Sequence, residues 1–190
     1  MNTVEPIRDP GKIEAMKKYL KGQSLRDYLL LVLGINTGLR VSDLLQLRMS
    51  ELVDDKSKIK EGIVLREKKT GKEKKFPINR AARLALEEFQ KASKGYNPSD
   101  YLFASQKGKS KPINRQQAWK ILSDAAKAVG IMVPIGTHTL RKTFGYHAYK
   151  QGVDVELLQK VLNHAAPGVT LRYIGITQDD IDRVYSNLNL

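Results

Sequence analysis

The stretch Leu29-Leu-Leu-Val-Leu33, followed by Ile35, most constrains what this chain can become. It has no polar face, so a helix built on it must be covered on most sides. Ser24-Leu-Arg-Asp27 just before it is a capping-box-like start, and Gly38 interrupts it. The run is far too short to cross a bilayer, which needs about 20 apolar residues. It therefore predicts the central helix of a water-soluble core, and the rest of the chain must supply the cover. Hydrophobic residues make up 41% of the 190, enough for a core of one domain.

Capping and turn signals divide the remainder. Asp9-Pro10 reads as an N-cap and a helix-starting proline for a helix over residues 10–20. Val41, Leu44, Leu45 and Leu47 recur at helical spacing after Gly38 and predict a second helix there. Residues 62–67 read as a strand and 74–78 as its return, with Thr70-Gly71 as the hairpin turn. Asn79 caps a helix to about residue 92, and Tyr101-Leu-Phe103 reads as a short buried segment. Lys107-Gly-Lys-Ser-Lys-Pro112 reads as a basic loop. Asn114 caps a helix that ends near Gly130. Helices are predicted over 138–150, 154–163 and 168–173, and a last one from Thr177 toward Asn187. The fold class is mixed α/β, mainly helical, with a small antiparallel sheet.

Charge narrows the partners. Lys and Arg number 33 against 20 Asp and Glu, a formal net charge of +13. That excess favours a polyanion. There is no cysteine, so disulfides, thiolate catalysis and Cys-ligated metals are excluded. With three histidines, at 138, 147 and 164, a His-rich metal site is not expected either. The acidic cluster Asp179, Asp180, Asp182 is explained by the first turn of a helix rather than by a metal. The N-terminus has no apolar signal core, so a soluble, intracellular protein is expected, with no membrane partner.

Breaking a phosphodiester without a metal needs a nucleophile, cations on the non-bridging oxygens and an acid for the leaving oxygen. His138-Thr-Leu-Arg141 sets an imidazole and a guanidinium three residues apart, on one helix face. The guanidinium matches phosphate oxygens two at a time, which a lysine cannot do. Arg40 follows Gly38-Leu39 at a helix junction, Lys69 lies near the hairpin tip, and His164 follows Leu162-Asn163 at a helix end. Tyr173 stands nine positions beyond His164. Each has a plainer reading alone. Arg40 suits an exposed surface. Lys69 sits among Lys68, Lys72, Lys74 and Lys75, and a lysine-rich hairpin is often only solvated. His138 suits a helix start, and a cationic His164 suits a helix C-terminus.

Taken together, Gly38-Leu-Arg40, Lys69-Thr-Gly-Lys72, His138-Thr-Leu-Arg141, Leu162-Asn-His164 and Tyr173 resemble the signature of tyrosine recombinases of the phage-integrase type. The order Arg, Lys, His-x-x-Arg, His, Tyr is the same, and the 23 positions from Arg141 to His164 are typical of that family. The resemblance covers residues 25–185. It implies the DNA breaking-rejoining catalytic fold and site-specific recombination or integration of double-stranded DNA through a 3′-phosphotyrosine, with no cofactor. It implies that Arg40 and Arg141 clamp the scissile phosphate and that His138 accepts the tyrosine proton or hydrogen-bonds the phosphate. His164 would add a hydrogen bond, Lys69 would protonate the departing 5′ oxygen and Tyr173 would attack phosphorus. It picks Tyr173 over the seven other tyrosines, of which Tyr185 is the nearest rival and reads as packing. His147 lies outside the pattern.

Residues 1–24 are then a lead-in segment and 25–190 the catalytic domain, without the N-terminal clamp domain common in the family. Asn163 stands where glycine is common, and Ala165-Ala166-Pro167 is an unusual loop. Residues 176–190 are expected to dock on a neighbouring subunit, giving a homo-oligomer on DNA. A cytoplasmic, nucleoid-associated bacterial or phage-encoded protein is expected. The competing readings are a type IB topoisomerase-like enzyme, a non-catalytic DNA-binding accessory protein, and an RNA-binding basic domain, the last lacking aromatic stacking motifs.

Overall fold

The structure is a computed structural model that describes residues 4–66, 71, 73–93, 95–105, 108–136, 138–176 and 178–187. Helix α1 (Pro10–Gln23) starts at Asp9, whose carboxylate accepts from the backbone N–H groups of Gly11 and Lys12. Helix α2 (Leu25–Thr37) starts at Ser24, which accepts from the Asp27 N–H, the half of the anticipated capping box that forms. The residues 29–33 are at most 1% exposed. Helix α2 packs against α1, α5 (Arg80–Ala92) and α7 (Thr139–Lys150), so the helix without a polar face is the one enclosed on all sides. Ile13, Met16 and Leu20 of α1 join the same core.

Strands β1 (Gly62–Arg66) and β2 (Glu73–Pro77) pair antiparallel, with Ile63 opposite Phe76. Both of those are buried, whereas Val64 is exposed, the alternation of a sheet covered on one face. The hairpin tip, with Lys69 and Thr70, lies outside the described residues. Asn79 caps α5 through the Ala82 N–H, and Asn114 forms a full capping box with Gln117 at α6 (Arg115–Ala128). Such caps contribute about 1 kcal/mol each. Gly130 beyond α6 is left-handed, as a helix-ending glycine should be. Helices α8 (Val155–Leu162), α9 (Pro167–Ile174) and α10 (Gln178–Asn187) complete the chain, with α8 and α9 packed on α7. Among the described residues no helix is long and apolar enough to cross a membrane.

Two sequence expectations need correction. The helix anticipated through Leu47 is a single turn, α3 (Val41–Leu44), followed after a break by another, α4 (Met49–Leu52). The Leu47 carbonyl instead accepts from the Leu102 N–H at 2.8 Å, and Arg48 bridges to Tyr101. The Arg48 guanidinium also lies over the Tyr101 ring and donates to its hydroxyl. This long-range pairing overrides the helical spacing. The basic loop at 107–112 is largely a strand, β4 (Gly108–Pro112), paired with β3 (Ala104–Ser105). Its pairing partner follows the buried Leu102 and Phe103, which hold it in place.

Candidate active site

The site is built where the ends of α2, α7, α8 and α9 meet. Gly38 closes α2 in the left-handed conformation, φ +63°, and a Cβ there would lie 2.6 Å from the Phe144 ring. Both constraints require glycine, and they turn the chain so that Arg40 begins α3 beside α7. Arg141, on α7, is 5% exposed. Its Nη1 donates to the Gly38 carbonyl and its Nη2 to the Leu162 carbonyl, each at 2.5 Å. One guanidinium thus satisfies the carbonyl of the α2 cap and the last carbonyl of α8, and the same side chain hydrogen-bonds the Tyr173 phenol.

Asn163 follows Leu162 with φ 50° and ψ 51°, a left-handed helix cap. That conformation explains why glycine suits the position and why asparagine, the next most tolerant residue, can replace it. The turn delivers His164, whose Nδ1 lies 3.1 Å from the Thr170 hydroxyl. Pro167 starts α9, and Tyr173 lies two residues before its glycine cap, Gly175. The half-buried Tyr173 ring meets the His164 ring edge-on, centroids 4.7 Å apart, and the His138 ring likewise at 6.3 Å. The His138 Nδ1 is 3.4 Å from the Tyr173 hydroxyl.

The electrostatics show the same convergence. Burial lowers the His138 pKa, helped by the charges of Arg141, Lys142, Arg115 and Arg40. Burial lowers that of His164 too, with Arg141 and Arg40 adding to it. Both imidazoles are therefore biased toward the neutral form. Burial raises the Tyr173 phenol above its ordinary value, while Arg141 and Arg40 pull it back down. Arg40, His138, Arg141, His164 and Tyr173, spread over more than a hundred positions of sequence, thus share one field. Lys69 lies outside the described residues. Tyr185, the rival tyrosine read from sequence as packing, is instead 78% exposed on α10. His147 bonds through Nε2 to the Ile7 carbonyl at 2.9 Å, a structural contact. Among the described residues no group of three or more His, Asp or Glu is arranged to hold a metal ion.

The phage integrase family matches residues 9–179. The chain belongs to that family. It is 42% identical over 185 residues to the probable integrase/recombinase YoeC of Bacillus subtilis (strain 168), covering 97% of both chains. It is 31% identical over 185 residues to the tyrosine recombinase XerD of Halalkalibacterium halodurans, covering 94% of this chain and 60% of that one. The solved XerH site-specific recombinase, bound to a palindromic difH substrate in a post-cleavage complex, shares the fold. Its TM-score is 0.73 at 19% identity, over 97% of this chain and 53% of that chain. The chain thus spans nearly all of YoeC but little more than half of the XerD and XerH chains.

Sequence reasoning missed three parts of this phage integrase family site. Lys142 is 6% exposed, with its Nζ 5.4 Å from the centre of the Tyr173 ring. Thr170 holds His164, and a threonine gives no signal for that role in a single sequence. The segment 5–8 packs on the site from outside α1. The Ile7 N–H donates to the Thr143 hydroxyl at 2.9 Å, and Arg8 donates to the Gly175 carbonyl at 2.7 Å.

Proposed function

We propose that this protein is a site-specific DNA recombinase or integrase that cuts and rejoins double-stranded DNA through Tyr173. The phenol oxygen bonds to the scissile phosphorus and the bond from phosphorus to the 5′ oxygen breaks, leaving a 3′-phosphotyrosine and a free 5′ hydroxyl. The phenol proton passes to His138, and Lys69 protonates the departing oxygen. Arg40 and Arg141 hold the non-bridging oxygens and stabilise the pentacoordinate transition state. His164 adds a hydrogen bond to the same phosphate. The bond energy is kept in the phosphotyrosine, so religation needs no nucleotide cofactor.

One observation carries this reading: the Tyr173 phenol lies against two imidazoles in the field of two arginines. The net charge of +13 supports a DNA partner, and XerH, of the same fold, is recorded on its DNA substrate. The protein acts as a homo-oligomer on DNA, with the segment around α10 contacting the neighbouring subunit, in the nucleoid of a bacterial cell. The large exposed Tyr185 on α10 supports that contact.

A nicked half-site duplex that traps the covalent intermediate tests the reading. In EDTA the wild-type protein forms a protein–DNA adduct, Tyr173→Phe forms none and Tyr185→Phe forms it normally. An adduct surviving in Tyr173→Phe would refute the assignment. Sedimentation of the DNA-bound protein tests the oligomer, which fails if one protomer per duplex persists at every concentration.

A further inference from the structure

We infer that Lys142 is a positioning residue for Tyr173, its ammonium held under the phenol ring to favour the ionised nucleophile. The inference deepens the recombinase reading and rests on it.

Helix α7 buries an unusual stripe: Thr139, Arg141, Lys142 and Thr143 are all at most 6% exposed. Arg141 is explained by the two carbonyls it caps. Lys142 has no such duty, and a lysine is almost never this buried without a compensating partner. Two groups compensate it. The face of the Tyr173 ring lies 5.4 Å from Nζ, within cation–π range. The Glu5 carboxylate opposes the burial that otherwise lowers the Lys142 pKa.

Glu5 is itself fixed in place. Its N–H donates to the Pro134 carbonyl, and its side chain pairs with Arg8 at 3.5 Å. Arg8 holds the carbonyl of Gly175, the cap of the tyrosine helix. Ile7 bonds to Thr143 through its N–H and to His147 through its carbonyl. The segment 5–8 therefore joins α7 to the end of α9, with Lys142 enclosed between that segment and the ring.

A purely packing lysine would be indifferent to the charge on the phenol. This one is not placed to be. A neutral phenol offers the ammonium only the quadrupole of its ring, whereas a phenolate adds a full opposite charge in a partly dry site. The gain comes only on ionisation, which is the step that burial of Tyr173 opposes. Among the described residues, the other charged or titratable groups acting on the phenol or on its neighbours are Arg40, Arg115, His138, Arg141 and His164. Arg141 reaches the phenol through a hydrogen bond, whereas Lys142 lies over the ring.

The test is a near-ultraviolet phenolate titration of the free protein. Each variant is measured against its Tyr173→Phe counterpart, which isolates the one tyrosine. Lys142→Met, close in volume and unbranched, raises the Tyr173 midpoint by about one pH unit, leaving about tenfold less phenolate at neutral pH. Lys142→Arg keeps the wild-type midpoint. Adduct formation on the nicked half-site falls about tenfold in Lys142→Met, and its pH profile moves alkaline by the same interval. An unchanged midpoint in a folded Lys142→Met protein overturns the inference. Should that variant not fold, NMR titration of isotope-labelled lysine supplies the reciprocal measurement. The coupling requires the Lys142 midpoint to fall in Tyr173→Phe, and coincident curves overturn it. If the wild type titrates as expected but forms no adduct, the recombinase reading fails and the coupling stands.

Discussion

His138 and Tyr173 stand 35 positions apart in sequence, yet the imidazole Nδ1 is 3.4 Å from the phenol oxygen, with the ring planes at 88°. The distance is long for a hydrogen bond, as is common for catalytic pairs before substrate tightens them. The lowered His138 pKa keeps the imidazole neutral and able to take a proton. Glutamine can still accept a hydrogen bond there but cannot carry the proton away. His138→Gln is expected to slow single-turnover adduct formation about a hundredfold and to flatten the acidic limb of its pH profile. An unaltered acidic limb would assign the proton to another acceptor.

Arg141 serves the fold as well as its proposed place on the phosphate. Its two bonds to the Gly38 and Leu162 carbonyls are buried, and a lysine cannot span both in one plane. Arg141→Lys should leave at least one buried carbonyl unpaired and lower stability by about 1–3 kcal/mol. Urea denaturation measures that loss. Adduct formation should fall by far more than the stability loss explains, because the phosphate also loses its fork of donors.

Gly145 lets α7 pack directly on the tyrosine helix. A Cβ there would lie 2.7 Å from Ile174 Cγ2 and 3.2 Å from Leu162 Cδ1. Gly145→Ala therefore pushes α9 away from α7, at about 1–3 kcal/mol. Tyr173 moves with α9, so cleavage should drop more than DNA affinity. Equal losses in binding and cleavage, measured on the same nicked duplex, would show that Tyr173 does not move.

Much of this was legible in the sequence because it depends on local signals. The apolar run at 29–33 became the enclosed helix, and Asp9, Ser24, Asn79 and Asn114 cap the helices they precede. Gly38 and the His-x-x-Arg spacing pointed to residues that do meet in space. What could not be read depends on tertiary partners. The helix through Leu47 was lost to pairing with Leu102, a competition no helical period records. Lys142 looked like one more of many cations, and only the fold brings Glu5 and the Tyr173 ring to it. Thr170 and the segment 5–8 act through single hydrogen bonds across the fold, which leave no pattern in composition or spacing.

Proton uptake should accompany DNA binding. In the free protein both His138 and His164 have pKa values held below 6.5, through burial first and neighbouring cations second. The Thr170 hydroxyl lies 3.5 Å from the Ala166 carbonyl and 3.1 Å from His164 Nδ1; with Thr170 donating to Ala166, the neutral imidazole carries its proton on Nδ1 and Nε2 is an acceptor. His164 must gain a proton before Nε2 can donate to a phosphate oxygen. A bound phosphate held by His164 supplies the negative charge that raises the His164 pKa. Calorimetric titrations of a duplex in buffers of different ionisation enthalpy should therefore show net proton uptake near pH 6.5, fading as the pH rises. The same lowered values set the sign for the free fold. Well above pH 6.5 neither the folded nor the unfolded histidines are charged, and the linkage costs nothing. As the pH falls through 6.5, the unfolded chain binds protons that the fold resists, so stability declines until the pH passes the folded values. The variant His138→Gln/His164→Gln should lose that slope. Buffer-independent binding heats at pH 6.5 would mean that the phosphate does not reach His164.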